Sequence, residues 1–146
     1  MRTIEVKLYQ FAELSETAKE YALNELYDIN VSYDWWDCVY DDAKDIGLEI
    51  TEFDLCHMEI DGNLLHDLPA VKKAITTQHG RSCDTYKYVQ SFDMRTDVDF
   101  NDFKYGLLQE YLSMLQKESD YQTSKEAIIK SIECNEYEFD ENGNLV

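Results

Sequence analysis

Apolar and polar residues alternate from the start of the chain. Ile4, Val6 and Leu8 interleave with Glu5, Lys7 and Tyr9, the two-residue period of a strand with one face buried. The period then changes. Ser15 is placed to cap a helix with Glu16 in its first turn, and Ala18, Ala22, Leu26 and Ile29 recur along one side with Tyr21 beside them. A second helix is expected over residues 34–46, with Asp34 as N-cap and Gly47 as the C′ residue that closes it. Its inward stripe is Trp36, Val39, Ala43 and Ile46. Residues 48–60 read as extended, with Asp61-Gly62-Asn63 as a turn. The alternation slips near Asp54, which predicts a bulge or two short strands there.

Pro69 suits a first helical position and Gly80 follows His79 as a C′ glycine would, giving a short helix over residues 69–79 with Val71, Ala74 and Ile75 inward. Residues 84–94 are weakly helical and 96–101 a polar connector. Residues 103–117 form the longest predicted helix, with Leu107, Leu108, Tyr111, Leu112, Met114 and Leu115 as a broad apolar face. Thr123 with Glu126 three residues on reads as a capping box before a last helix over 124–134. Tyr137, Phe139 and Leu145 flank Asn142-Gly143, a short-range hairpin signal. No linker, internal repeat or low-complexity run interrupts this order. The expected fold is one α+β domain over residues 1–146: a small, mainly antiparallel sheet from the first strand, the central strand and the terminal hairpin, covered by four to six helices.

Composition supports a packed core, since 44% of residues are hydrophobic and 13% aromatic, and rules out wholesale disorder. Charge is the outlying feature. Against 31 Asp and Glu stand 13 Lys and Arg, a net charge of −18. Proteins that bind nucleic acid irrespective of sequence neutralise phosphates with Lys and Arg, so direct nucleic-acid binding is not expected, nor is docking on anionic lipid. No apolar run is long enough for a membrane span. The opening Met-Arg-Thr-Ile-Glu leads straight into the alternating segment, so no signal peptide is expected either. Cys38, Cys56, Cys83 and Cys134 contain no close ligand pair, and reduced thiols are expected in place of a metal site or disulfides.

Residues 33–50, YDWWDCVYDDAKDIGLEI, resemble a motif of small acidic proteins encoded by phages and other mobile elements. The tail, LSMLQKESDYQTSKEAI followed by IECNEYEFDENGNLV, resembles the same family. The likeness covers most of the chain. It carries no catalytic residues and no cofactor. It implies a phage or prophage accessory protein acting in a bacterial cytoplasm; some members are labelled antitoxin-like.

The acidic side of the second predicted helix is the most informative constellation. Asp34, Asp37, Asp41 and Asp45 fall at i, i+3, i+7 and i+11, Asp42 widens the row, and Lys44 is the one basic residue inside it. A nucleic-acid strand carries about one charge per 3.4 Å, denser than one carboxylate per helical turn. A mimic therefore needs a second row, for which Glu13, Glu16, Glu20 and Asp28 are candidates. Two readings stand: a recognition surface, or the solvated faces of two amphipathic helices. Trp35 and Trp36 cannot both point into the core from one helix, since neighbours diverge by about 100°. Trp36 suits the stripe, leaving Trp35 as a binding anchor or a satellite core contact.

Asp97-Val98-Asp99-Phe100-Asn101-Asp102 begins like a calcium loop but has Asp102 at position six and Leu108 at position twelve, where glycine and glutamate are needed. It reads instead as a helix entry capped by Asn101 or Asp102, with Val98 and Phe100 as core contacts. His57, His66 and His79 sit in no nucleophile or metal motif. The expected function is a non-catalytic binding protein without cofactor or metal. Its expected site is Asp34, Trp35, Asp37, Asp41, Asp42 and Asp45, and its partner a host protein with a basic surface, such as a nuclease or immune effector. Anti-defence inhibition of anti-CRISPR or anti-restriction type is the concrete form. The alternatives are an antitoxin, a small carboxylate- or metal-dependent hydrolase, and a virion assembly factor.

Overall fold

The computed structural model describes residues 3–93 and 99–146. In order, the elements are β1 (Tyr9–Gln10), a 3-10 turn at Phe11–Glu13, α1 (Glu16–Glu25), α2 (Asp37–Asp45), β2 (Leu48–Asp54), β3 (Glu59–Leu64), α3 (Leu68–Gln78), α4 (Asp84–Asp93), α5 (Phe100–Gln122), α6 (Lys125–Cys134) and β4 (Glu138–Phe139). The class is α+β, with six α-helices and antiparallel strands among the described residues. The strands form two two-stranded sheets, β1 with β4 and β2 with β3, where one sheet was expected. Contacts divide the chain into two compact units. One is Trp36–Glu118; the other joins the chain up to Trp35 with Ser119–Val146, so the division falls inside α5.

In the unit holding both ends of the chain, Ser15 caps α1 by accepting from Ala18 N at 3.2 Å. Ala18 and Ala22 pack with Phe11, Leu14, Ile128, Ile132 and Phe139. Buried Asn30 is satisfied on both sides: its Nδ2 donates to the Gln122 carbonyl at 3.1 Å and its Oδ1 accepts from Ser131 Oγ at 2.6 Å. The expected first strand is mostly absent. Only Tyr9 of residues 3–9 enters a strand, paired with Phe139, and Ile4, Val6 and Leu8 are 75%, 64% and 43% exposed. A strand persists only where a neighbour satisfies its backbone. Here β4 offers two residues before Asp140 folds the chain into a turn by accepting from the Asn142 and Asn144 amides, both at 2.9 Å.

The cap of α6 is Ser124, which accepts from Ala127 N at 3.2 Å. Thr123, the expected cap, instead bonds back to the Ser119 carbonyl at 2.8 Å. Tail pairing is confined to β4 and a Phe139–Leu145 bridge.

In the other unit, α2, the β2–β3 hairpin, α3, α4 and most of α5 enclose one core. Ala43, Ile46, Leu48, Val71, Ile75, Phe103, Leu107 and Tyr111 are its fully buried members. Gly47, at φ +91°, closes α2 as expected. The hairpin turn lies at residues 55–58, not at Asp61-Gly62-Asn63, which sit inside β3 opposite β2. Near Asp54, where a bulge or two short strands were expected, β2 ends and the chain turns into β3; the bulge lies earlier, between Ile50 and Glu52. Asp54 builds the turn by accepting from the Cys56 and His57 amides at 2.9 and 3.2 Å. Gly62 is needed for close approach, because a Cβ there would meet the Glu49 carbonyl oxygen at 2.5 Å.

Asp67 caps α3 by accepting from Ala70 N at 3.0 Å. Gly80 is not a left-handed C′ residue: among described glycines only Gly47 and Gly143 have positive φ. Asp99, in place of Asn101 or Asp102, opens α5. It accepts from Asp102 N at 3.0 Å while the Asp102 carboxylate accepts from Asp99 N at 3.1 Å, a reciprocal capping arrangement. Phe100 is exposed, not a core contact. Met94, Arg95, Thr96, Asp97 and Val98, which include the start of the calcium-like run and of the polar connector, lie outside the described residues.

Candidate functional site

Helix α2 starts at Asp37, with Trp36 in the N-cap position and no side-chain cap. Its first turn is opened by the Trp36 carbonyl, which accepts from Val39 N and Tyr40 N at 3.0 Å each. Asp34 is therefore not the N-cap, and the four-carboxylate row does not lie on one helix. Asp34 is exposed and Trp35 half-buried, and both belong to the unit that contains the chain ends. Trp36 is also only half-buried. Its indole packs edge-on against Phe53 of β2 at 5.7 Å, as Tyr40 does at 6.0 Å, so it covers the hairpin instead of entering the deep core.

Three carboxylates remain on the outer side of α2: Asp37, Asp41 and Asp45, all exposed. Their four-residue spacing advances about 6 Å per carboxylate along the axis. None makes an ion pair within the described residues. Between α2 and β2 lies an open groove of about 460 Å³, lined by Asp37, Tyr40, Asp41, Lys44, Glu49, Ile50 and Thr51. Glu49 of β2 is thus an acidic neighbour to the row that its sequence position did not suggest. Glu13, Glu16, Glu20 and Asp28 are exposed too, but α1 ends at Glu25, so Asp28 lies beyond it and Glu13 before it.

Asp42 leaves the row and turns inward. Its Oδ2 accepts from the Tyr111 hydroxyl at 2.8 Å, and His79 Nε2 lies 3.2 Å from its carboxylate. The other His79 nitrogen, Nδ1, is hydrogen-bonded to Thr85 Oγ1. Tyr111 and Thr85 are fully buried. Burial, and then the adjacent Asp42 charge, push the Tyr111 phenol far above its ordinary range. One carboxylate thereby joins α2, the C-cap of α3 and α5. Sequence separations of 37 and 69 residues hid this network; the one local sign was a threonine at an inward position of α4.

A pocket of about 340 Å³ adjoins the network, with Cys38, Cys83, Met114 and Glu118 among its lining residues. Asp42, His79, Thr85 and Tyr111 together tie α2, the end of α3, α4 and α5 to one another. His57 pairs with Asp54 in the exposed hairpin turn at 2.7 Å, and that bond holds the Asp54 carboxyl below its usual range. Among the described residues no three His, Cys, Asp or Glu side chains converge where they could hold one metal ion, and no helix is long and apolar enough to cross a membrane.

Fold and surface together describe an acidic α+β protein with a carboxylate row on one short helix. No protein-family model, curated protein or solved structure matches the chain.

Proposed function

We propose that this protein acts without catalysis, by occupying a basic surface of another protein. The concrete form is inhibition of a bacterial nucleic-acid-handling or immune enzyme, of anti-CRISPR or anti-restriction type. The observation that carries the reading is the exposed row Asp37, Asp41 and Asp45, unpaired within the described residues and joined by Glu49 across the α2–β2 groove. Such a row, on a chain of net charge −18, steers encounter with a cationic nucleic-acid channel and disfavours acidic partners. Its spacing is wider than that of phosphates on one strand, which fits a charge-complementary plug better than a faithful copy of a duplex. The resemblance of residues 33–50 and of the tail to small acidic phage proteins supplies the host context; neutralisation of a basic toxin would use the same surface.

Plaque formation tests the proposal. The chain is expressed in bacteria carrying an active CRISPR or restriction system and challenged with a susceptible phage. Restored plating by the wild type, and not by D37K/D41K, is expected; plating that stays restricted across such systems contradicts the anti-defence form.

One observation favours a second reading, a small hydrolase: Asp42, His79 and Glu118 line one pocket. A hydroxyl–imidazole–carboxylate relay engages both imidazole nitrogens in the same way, but the hydroxyl here, that of Thr85, is fully buried and closed to a substrate.

A further inference from the structure

Residues 3–9 read Thr-Ile-Glu-Val-Lys-Leu-Tyr. They have the period of a strand, yet residues 3–8 belong to no strand and leave Ile4, Val6 and Leu8 open to solvent. Lys7 Nζ lies 5.5 Å from the centre of the Tyr9 ring, two residues on, as side chains on one face of a strand do. The segment leads directly into β1. In that sheet β4 carries β1 on one side and the Leu145 bridge on the other, so the free side of β1 has no strand on it among the described residues. An alternating apolar segment continuing an open edge is a template for strand addition.

The segment is complementary to itself. In an antiparallel pair, residues directly opposite share a face, so two copies bring apolar to apolar only in registers that keep the alternation. Centred on Val6, such a pairing sets Val6 against Val6, Ile4 against Leu8, and Glu5 against Lys7 twice. Centred on Glu5 it opposes two glutamates, and centred on Lys7 two lysines. Only the Val6 register of these three makes both apolar and charge pairs favourable.

We propose that residues 3–9 are a dimerisation strand, pairing antiparallel with the same segment of a second copy about a two-fold axis at Val6. The interface is isologous and closes at two copies. Two chains of charge −18 repel one another, so the dimer forms at higher protein concentration and is strengthened by salt. Binding of the α2 row to a basic partner has the opposite salt dependence, which keeps the two claims separable.

Sedimentation equilibrium of the full chain, at rising concentration and at low and moderate salt, tests this with E5K, K7E and E5K/K7E. These positions are exposed, and the far-ultraviolet circular dichroism of every variant should match wild type. Each single swap sets like charges opposite one another at two symmetric places, and should weaken the dimer by about tenfold or more. The double swap restores the opposition and should return the dimer to near wild-type strength. E5K also lowers the net negative charge, so if general repulsion alone governed association it would strengthen the dimer. A wild type that stays monomeric throughout overturns the proposal. So does a dimer that the single swaps leave intact, or one that the double swap fails to restore.

Discussion

The Tyr111 hydroxyl donates to Asp42 Oδ2 at 2.8 Å, tying a residue of the acidic helix to the buried centre of the longest one. Asp42 and Asp41 are adjacent, with Asp41 facing solvent and Asp42 bonded inward to Tyr111 and His79. Helix α2 thus has two kinds of carboxylate, one bonded into the unit and the other exposed to solvent.

Tyr111→Phe isolates the first kind. It removes one hydrogen bond to a charged acceptor without opening a cavity. Such bonds contribute about 1.5–3 kcal/mol when desolvated. The Asp42 side chain is 47% exposed, so water recovers part of the loss, and we expect a destabilisation of about 1 kcal/mol. Urea unfolding at pH 7 measures it.

The raised Tyr111 phenol also sets an alkaline limit. The folded group keeps its proton above pH 10, whereas in the unfolded chain it titrates near its ordinary value of 10.0. The unfolded state then binds fewer protons, so the stability contributed below pH 10 is lost as pH rises beyond it, by about 1.4 kcal/mol per pH unit for one group. Tyr40, raised by burial and by Glu52, acts in the same direction. Unfolding curves between pH 8 and 11 should show this slope, reduced in Tyr111→Phe.

Net charge predicts the response to salt. The described ion pairs are few beside an imbalance of 18 charges, and self-repulsion is screened over about 10 Å at 0.1 M salt. The melting temperature should rise as salt is added from low ionic strength. A fall would mean that attractive pairs outweigh repulsion.

Gly62→Ala tests the register of the hairpin. The added Cβ would meet the Glu49 carbonyl oxygen at 2.5 Å and Leu108 Cδ2 at 3.0 Å. Backbone cannot yield as a flexible side chain does, so a loss of about 1–3 kcal/mol is expected.

That glycine also shows where local reading fails. Asp-Gly-Asn has turn chemistry wherever it occurs, and only the proximity of Glu49 and Leu108 reveals Gly62 as a strand residue allowing close packing. The cap at Ser15 and the close at Gly47 were legible because their causes lie within a few residues. Ile4, Val6 and Leu8 display a strand period, but the period cannot say whether the chain itself supplies a neighbouring strand. In the candidate site, Asp37, Asp41 and Asp45 were legible from helical spacing. The inward turn of Asp42 was not, because its partners lie 37 and 69 residues away. Asp34 and Trp35 were joined to the row by assuming a helix one turn longer than the one that forms.

The central claim concerns the second kind of carboxylate, and D37K/D41K tests it most directly. Both positions are exposed, and Asp37 stands in the first turn of α2, where a lysine opposes the helix dipole, so a loss of stability of no more than about 1 kcal/mol is expected. Wild type and variant, immobilised side by side, are exposed to lysate of a bacterial host at low salt and eluted in salt steps, and the retained proteins are identified by mass spectrometry. The account predicts a protein with a basic surface that wild type retains and salt releases, and that the variant fails to hold. Equal retention by the two would mean that the charge of this helix serves solvation alone.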